Sequence, residues 1–163
     1  MNRPAFFRKL MIAAVVGVTL VTASCATGPV RRVSDPAANL QQITVQPNGN
    51  WSVALRLQNY SSIPMRFQST QLKMTIEGQE AATIALNTPI TIGPESPDVV
   101  TLSVVPTLAG KSAVAESLTR RTTLNYKLQG TITATPEGAR VRTFNYSASS
   151  SLSPTPGLDG VLR

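Results

Sequence analysis

Trp51-Ser52-Val53-Ala54-Leu55-Arg56-Leu57-Gln58 sets a large apolar side chain at every second position, with polar or small residues between. A period of two puts the apolar set on one face of a β-strand and the remainder on the other. A strand buried on one face and wet on the other belongs to an antiparallel sheet. Just upstream, Pro47-Asn48-Gly49-Asn50 is a turn signal, since each of these residue types favours or tolerates turn backbone angles. Before the turn, residues 40–46 alternate Ile43 and Val45 with polar neighbours and read as another strand.

Downstream the series continues. Residues 59–64 read as a loop, and Met65 and Phe67 then resume the alternation. Leu72, Met74 and Ile76 carry it on with shifted phase, so a bulge or break is expected near residues 69–71, because a one-residue slip exchanges the faces of a strand. Glu77-Gly78-Gln79-Glu80 reads as a hairpin turn, residues 82–86 and 90–92 as short strands around Pro89, and residues 93–97 as a loop. Val100, Leu102 and Val104 mark a strand that stops at Pro106.

Residues 111–121 are the one expected helix, with Val114 and Leu118 four apart on one face and Glu116 and Arg120 on another. Leu124, Tyr126, Leu128 and Ile132 define a strand after it, and Pro136-Glu137-Gly138 turns the chain into a last strand over residues 141–148. Many short strands with turn signals at close intervals predict an all-β sandwich. Trp51, Phe67, Tyr126 and one of Phe144 or Tyr146 are expected to fill the space between its sheets. The tail, residues 150–163, is rich in Ser, Pro and Gly and is expected to be loose.

The first residues address the chain rather than fold it. Arg3, Arg8 and Lys9 precede an uncharged run over residues 10–23, which ends in Thr22-Ala23-Ser24-Cys25. A positive stretch, an apolar segment of about 7–15 residues and small residues before a cut site make a secretory signal. The run is too short for a bilayer core, which takes about 20 apolar residues.

The ending resembles a bacterial lipoprotein signal. That resemblance implies signal peptidase II recognition through Thr22, Ala23 and Ser24, and lipidation of Cys25. Thr22 stands where such signals usually carry a branched apolar residue. Ala26, in place of an aspartate, implies sorting to the outer membrane, with the domain facing the periplasm or the cell surface. Residues 1–24 are then the signal peptide. Residues 25–39, with Gly28, Pro29 and Pro36, form the lipidated cysteine and a flexible tether of roughly 20 Å, and the domain spans residues 40–149.

Composition narrows the function classes. Removing residues 1–24 takes away three basic residues and no acidic one, so the net charge of +7 becomes +4. The basic residues that remain are scattered, with Arg31-Arg32 and Arg120-Arg121 as the doublets and no basic stripe interleaved with aromatics, so nucleic acid is not an expected partner. Arg31-Arg32 lies just past the anchor, where anionic head groups are within reach.

The chain has no histidine and one cysteine. That excludes a Ser-His-Asp triad, an intrachain disulfide and ordinary zinc sites. Asp35, Glu77, Glu80, Glu95, Asp98, Glu116, Glu137 and Asp159 fall mainly in expected turns, tether, tail or helix, and nothing in their spacing pairs them. No catalytic residue, metal ligand or cofactor is assigned. Asn59-Tyr60-Ser61 and Asn145-Tyr146-Ser147 match the glycosylation acceptor pattern and are read as chance matches.

The order of segments also carries a family resemblance. It comprises LRLQNYSSIP at residues 55–64, Thr75-Ile76-Glu77-Gly78 ending a strand, Pro94-Glu95-Ser96 before a Val-rich strand, a helix, and then Tyr126-Lys127-Leu128-Gln129-Gly130. This resembles the group 2 late embryogenesis abundant proteins, whose domain is also called the water stress and hypersensitive response domain. Asn59-Tyr60-Ser61 stands where that family has an Asn-Pro-Asn element, with the proline displaced to Pro64.

The resemblance implies a Greek-key sandwich of fibronectin type III character, with seven to eight strands, one short helix and no catalytic residues. It implies a protective or binding role under desiccation or osmotic stress. Partners would be the membrane, through the N-terminal lipid, and an envelope protein or a lipid ligand. Two other readings stand beside it. One is a lipid carrier in which Met65, Leu72, Met74 and Ile76 open a groove for an acyl chain. The other is an accessory subunit docking through an exposed strand edge.

Overall fold

The computed structural model describes residues 31–163. Nine strands and one helix follow in the order β1 (Ala37–Val45), β2 (Trp51–Gln58), β3 (Met65–Ile76), β4 (Gln79–Leu86), β5 (Ile90–Ile92), β6 (Pro97–Val104), α1 (Leu108–Arg120), β7 (Leu124–Pro136), β8 (Arg142–Leu152) and β9 (Val161–Leu162). One sheet has the order β6-β2-β1-β9. The other has the order β4-β3-β7-β8, with β5 also paired to β3. All pairings are antiparallel. The chain crosses between sheets from β2 to β3, back from β5 to β6, again from β6 to β7 and last from β8 to β9, and β6 lies beside β2 while β7 lies beside β3. Two interlocked pairs of this kind are Greek-key connectivity. The described residues form an all-β sandwich with one short helix, and seven of the strands are long.

The period-2 reading of β2 holds at each position: Trp51, Val53, Leu55 and Leu57 are buried and Arg56 is exposed. The turn before it closes with Gly49 at φ +80° and the Asn48 side chain accepting the Asn50 N–H at 3.0 Å. In β3 the inward set runs Met65, Phe67, then Thr70, Leu72, Met74 and Ile76. The phase change is a bulge at Gln68, where the register against β7 skips from Phe67 to Ser69, just before the expected break. Trp51, Phe67 and Tyr126 lie in the core, whereas Phe144 and Tyr146 pack half-buried at the edge.

The helix begins one turn earlier than residue 111. Thr107 caps it by accepting the Gly110 N–H at 3.0 Å, while its own hydroxyl donates to the Glu80 carbonyl at 2.7 Å. A threonine at this position satisfies an otherwise orphan helical donor, and here it also fixes α1 to β4. Gly110 makes the close approach possible: a Cβ there would lie 2.5 Å from the Ala81 carbonyl oxygen. Among the described residues no helix is long and apolar enough to cross a membrane.

Two expectations about the chain ends are corrected. The tether does not extend to Asn39. Strand β1 starts at Ala37, Ala38 and Leu40 are buried, and residues 32 and 34 are already hydrogen-bonded to the domain. The tail is not loose from residue 150. Strand β8 continues to Leu152, and β9 returns to pair Val161 with Thr44 and Leu162 with Ile43. Leu162 is fully buried and Arg163 donates to the Gln42 side chain at 2.7 Å. A two-residue strand shows no alternation, and small alanines carry little hydrophobic signal.

Candidate functional site

One end of the sandwich gathers residues 31–34, the β2–β3 loop (59–64), the β5–β6 loop (93–96) and the β7–β8 turn (137–141). Asn59 is the hub and is 0 % exposed. Its Nδ2 donates to the carbonyls of Ile63 at 2.9 Å, Ile92 at 3.2 Å and Gly93 at 2.8 Å, and its Oδ1 accepts the Ser61 N–H at 2.9 Å. An asparagine following a strand readily forms the last of these bonds, a local Asx turn. Of the other three, the bond to Ile63 closes the β2–β3 loop on itself, and those to Ile92 and Gly93 tie that loop to the end of β5 and the residue after it. Glu95, with φ +49°, donates its N–H to the Ser61 carbonyl at 3.0 Å, and the Glu137 N–H reaches the Pro64 carbonyl at 2.9 Å. The end is a fixed surface.

The entering chain lies across this surface as a strap. Arg32 N–H donates to Ser62 Oγ at 2.8 Å, and Ser62 N–H returns to the Arg32 carbonyl at 3.0 Å. Ser34 N–H donates to the buried Ser61 hydroxyl at 3.0 Å. The Arg31 guanidinium donates to the Glu137 carbonyl, and Arg32 pairs with Glu95 at 2.7 Å. Around the strap stand Arg140 and Arg142, both exposed, together with Val33 at 36 %, Tyr60 at 51 % and Val141 at 54 % exposure.

On its flank a shallow cleft of about 210 Å³ is lined by Ala37, Asn39, Arg56, Gln58, Tyr60 and Tyr146. The Tyr146 hydroxyl donates to the Ala38 carbonyl and closes the sandwich edge beside β1. Burial pushes that hydroxyl above its ordinary pKa.

The residues of the expected lipoprotein signal, Thr22, Ala23, Ser24, Cys25 and Ala26, lie outside the described residues. The two Asn-Tyr-Ser tripeptides separate sharply: Asn59 is buried with every amide atom bonded, whereas Asn145 is exposed on β8. The acids are dispersed, with Glu95 on Arg32, Glu80 on Lys73 and Glu116 on Arg120 in surface pairs. Among the described residues no three Asp, Glu, His or Cys side chains gather into a metal-binding group. Met65, Leu72 and Met74 are fully buried and Ile76 nearly so, all packed into the core between the sheets. The strap and the three carbonyl bonds of Asn59 carry no sequence signature; only the Asx turn does.

No protein family description matches this sequence, and no curated protein is similar to it. Solved structures with a related arrangement exist. A protein from Archaeoglobus fulgidus is 12 % identical, covering 76 % of this chain and 98 % of its own, with a TM-score of 0.44. A solution structure from Arabidopsis thaliana is 16 % identical, covering 82 % and 89 %, with a TM-score of 0.47. A protein from Bordetella pertussis is 13 % identical, covering 80 % and 100 %, with a TM-score of 0.48. Likeness at this level says nothing about activity or partners.

Proposed function

We propose that this chain is a membrane-anchored lipoprotein of the outer membrane, facing the periplasm, whose non-catalytic β-sandwich binds or protects envelope components during drying or osmotic stress. The finer family assignment, a group 2 late embryogenesis abundant domain, belongs to this proposal. Cys25 is the lipidated residue, Thr22, Ala23 and Ser24 the processing sequence and Ala26 the sorting residue. The observation that carries the reading is the basic and apolar run ending in Ala23-Ser24-Cys25, separated by five residues from a strap that fastens directly to the domain. Such a layout holds a folded domain close to a surface rather than releasing it on a long linker.

The test has two arms. Cells expressing the chain are labelled with radioactive palmitate, alongside a Cys25→Ser variant. Label on the wild type alone supports the anchor; an unlabelled wild type refutes it. Separately, a strain lacking the protein is dried and rehydrated, with complementation by wild type or Cys25→Ser. Lower survival restored only by the wild type supports envelope protection, and survival equal to the parent strain removes that role.

A further inference from the structure

We infer that the strap end of the sandwich is itself a membrane-contacting surface, which rests on anionic phospholipid head groups. This rests on the anchored reading above, and three observations carry it.

The first is reach. Five residues lie between Cys25 and Arg31, and a fully extended chain gains at most about 3.6 Å per residue. Arg31 therefore stays within roughly 20 Å of a lipidated Cys25. The opposite end of the sandwich is much farther away: β7 alone runs thirteen residues, or roughly 40 Å at the rise of a strand.

The second is composition. Arg31, Arg32, Arg56, Arg66, Arg140 and Arg142 stand here against Asp35, Glu95, Asp98 and Glu137, and Glu95 is already neutralised by Arg32. The distal end carries comparable charge, with Lys111, Arg120 and Arg121 against Glu77 and Glu116. Reach, and not charge alone, selects the strap end.

The third is the exposed apolar rim. Val33, Tyr60 and Val141 are three of the seven large apolar or aromatic side chains exposed among the described residues. A tyrosine among arginines at a bilayer surface puts its ring at head-group depth and its hydroxyl in water. Backbone hydrogen bonds fix the underlying loops, so docking requires no ordering of the chain.

The experiment is hydroxyl-radical footprinting of the full lipidated chain, read by mass spectrometry. The chain is reconstituted into vesicles of phosphatidylethanolamine with phosphatidylglycerol, and into vesicles of phosphatidylcholine alone. Oxidation of Val33, Tyr60 and Val141 is expected to fall severalfold on the anionic vesicles only. Leu108, 81 % exposed, and Leu158 at the far end serve as unchanged internal standards. Salt at 0.5 M restores oxidation, because charges on a surface are screened within a few ångströms there.

Arg140→Gln with Arg142→Gln, both on exposed positions, lowers the docking equilibrium by about 30-fold, a factor of about five per charge. Arg120→Gln with Arg121→Gln leaves it unchanged. Equal oxidation on both vesicle types, protection that survives the Arg140/Arg142 change, or protection independent of lipid charge, as a bound envelope protein would give, overturns the inference. Failure of the anchor reads out differently, as a chain that does not float with vesicles in 0.5 M salt.

Discussion

Replacing Asn59 by alanine should be among the most damaging single changes to this domain. The side chain is 0 % exposed and makes four hydrogen bonds, three of them to backbone carbonyls, one in its own loop and two at the end of β5 and the residue after it. Alanine leaves the carbonyls of Ile63, Ile92 and Gly93 and the N–H of Ser61 without that partner. Each buried polar group left unsatisfied costs about 1–3 kcal/mol. The four share one site, and a water admitted to the vacated space would satisfy part of the set, so the sum is about 3–5 kcal/mol rather than the full product. That is a large share of the roughly 5–15 kcal/mol that stabilises a typical domain.

For a domain of this size, about 2.1 cal/mol/K of unfolding entropy per residue converts the loss to a fall of roughly 11–18 °C in Tm. The assay is urea and thermal unfolding followed by circular dichroism, with Asn145→Ala as control. The two asparagines head identical tripeptides, but Asn145 is exposed, so its change is expected to stay within about 0.5 kcal/mol. A loss below about 1 kcal/mol for Asn59→Ala, or losses of equal size at both sites, would refute the hub reasoning.

Three further outcomes follow from single groups. Thr70 is buried and its hydroxyl finds no partner among the described residues; Thr70→Val should therefore raise stability, by about 1 kcal/mol, in the same unfolding assay. Leu162→Ala removes a fully buried side chain from β9 and should cost about 2–4 kcal/mol; a loss near zero would restore the loose-tail expectation. Tyr146→Phe deletes the bond to the Ala38 carbonyl and should cost about 1 kcal/mol at neutral pH. Because burial raises the Tyr146 pKa in the folded state, the folded protein holds that proton where the unfolded chain releases it. Stability contributed by the neutral hydroxyl is thus complete at neutral pH and lost as pH rises past about 10. Denaturation measured from pH 8 to 11 should show that decline flattened in Tyr146→Phe.

Most of the sandwich could be read along the chain because its information is local. In β2, β3 and β7 the faces alternate residue by residue, and the phase change inside β3 announced its bulge before any pairing was known. The helix was visible from Val114 and Leu118. Its cap, Thr107 on the Gly110 N–H, is local, but the bond that seats Thr107 on the Glu80 carbonyl joins residues 27 positions apart and leaves no pattern along the chain. The arrangement at the strap end was hidden for the same reason.

By itself, then, the sequence determined the class of fold and the absence of histidine chemistry, and it raised the expectation of an N-terminal signal before Cys25. Each of these follows from periodicity, composition or a contiguous motif. Only the tertiary structure decided that Asn59 is a buried hub while Asn145 is exposed, that residues 31–34 are part of the domain, and that the last two apolar residues close a sheet. Those outcomes depend on hydrogen bonds and burial between segments 27 to 121 residues apart. A short strap of polar side chains bonded to backbone leaves no period to read. Its energy appears only once the fold has brought its partners within about 3 Å and excluded the water that would otherwise satisfy them.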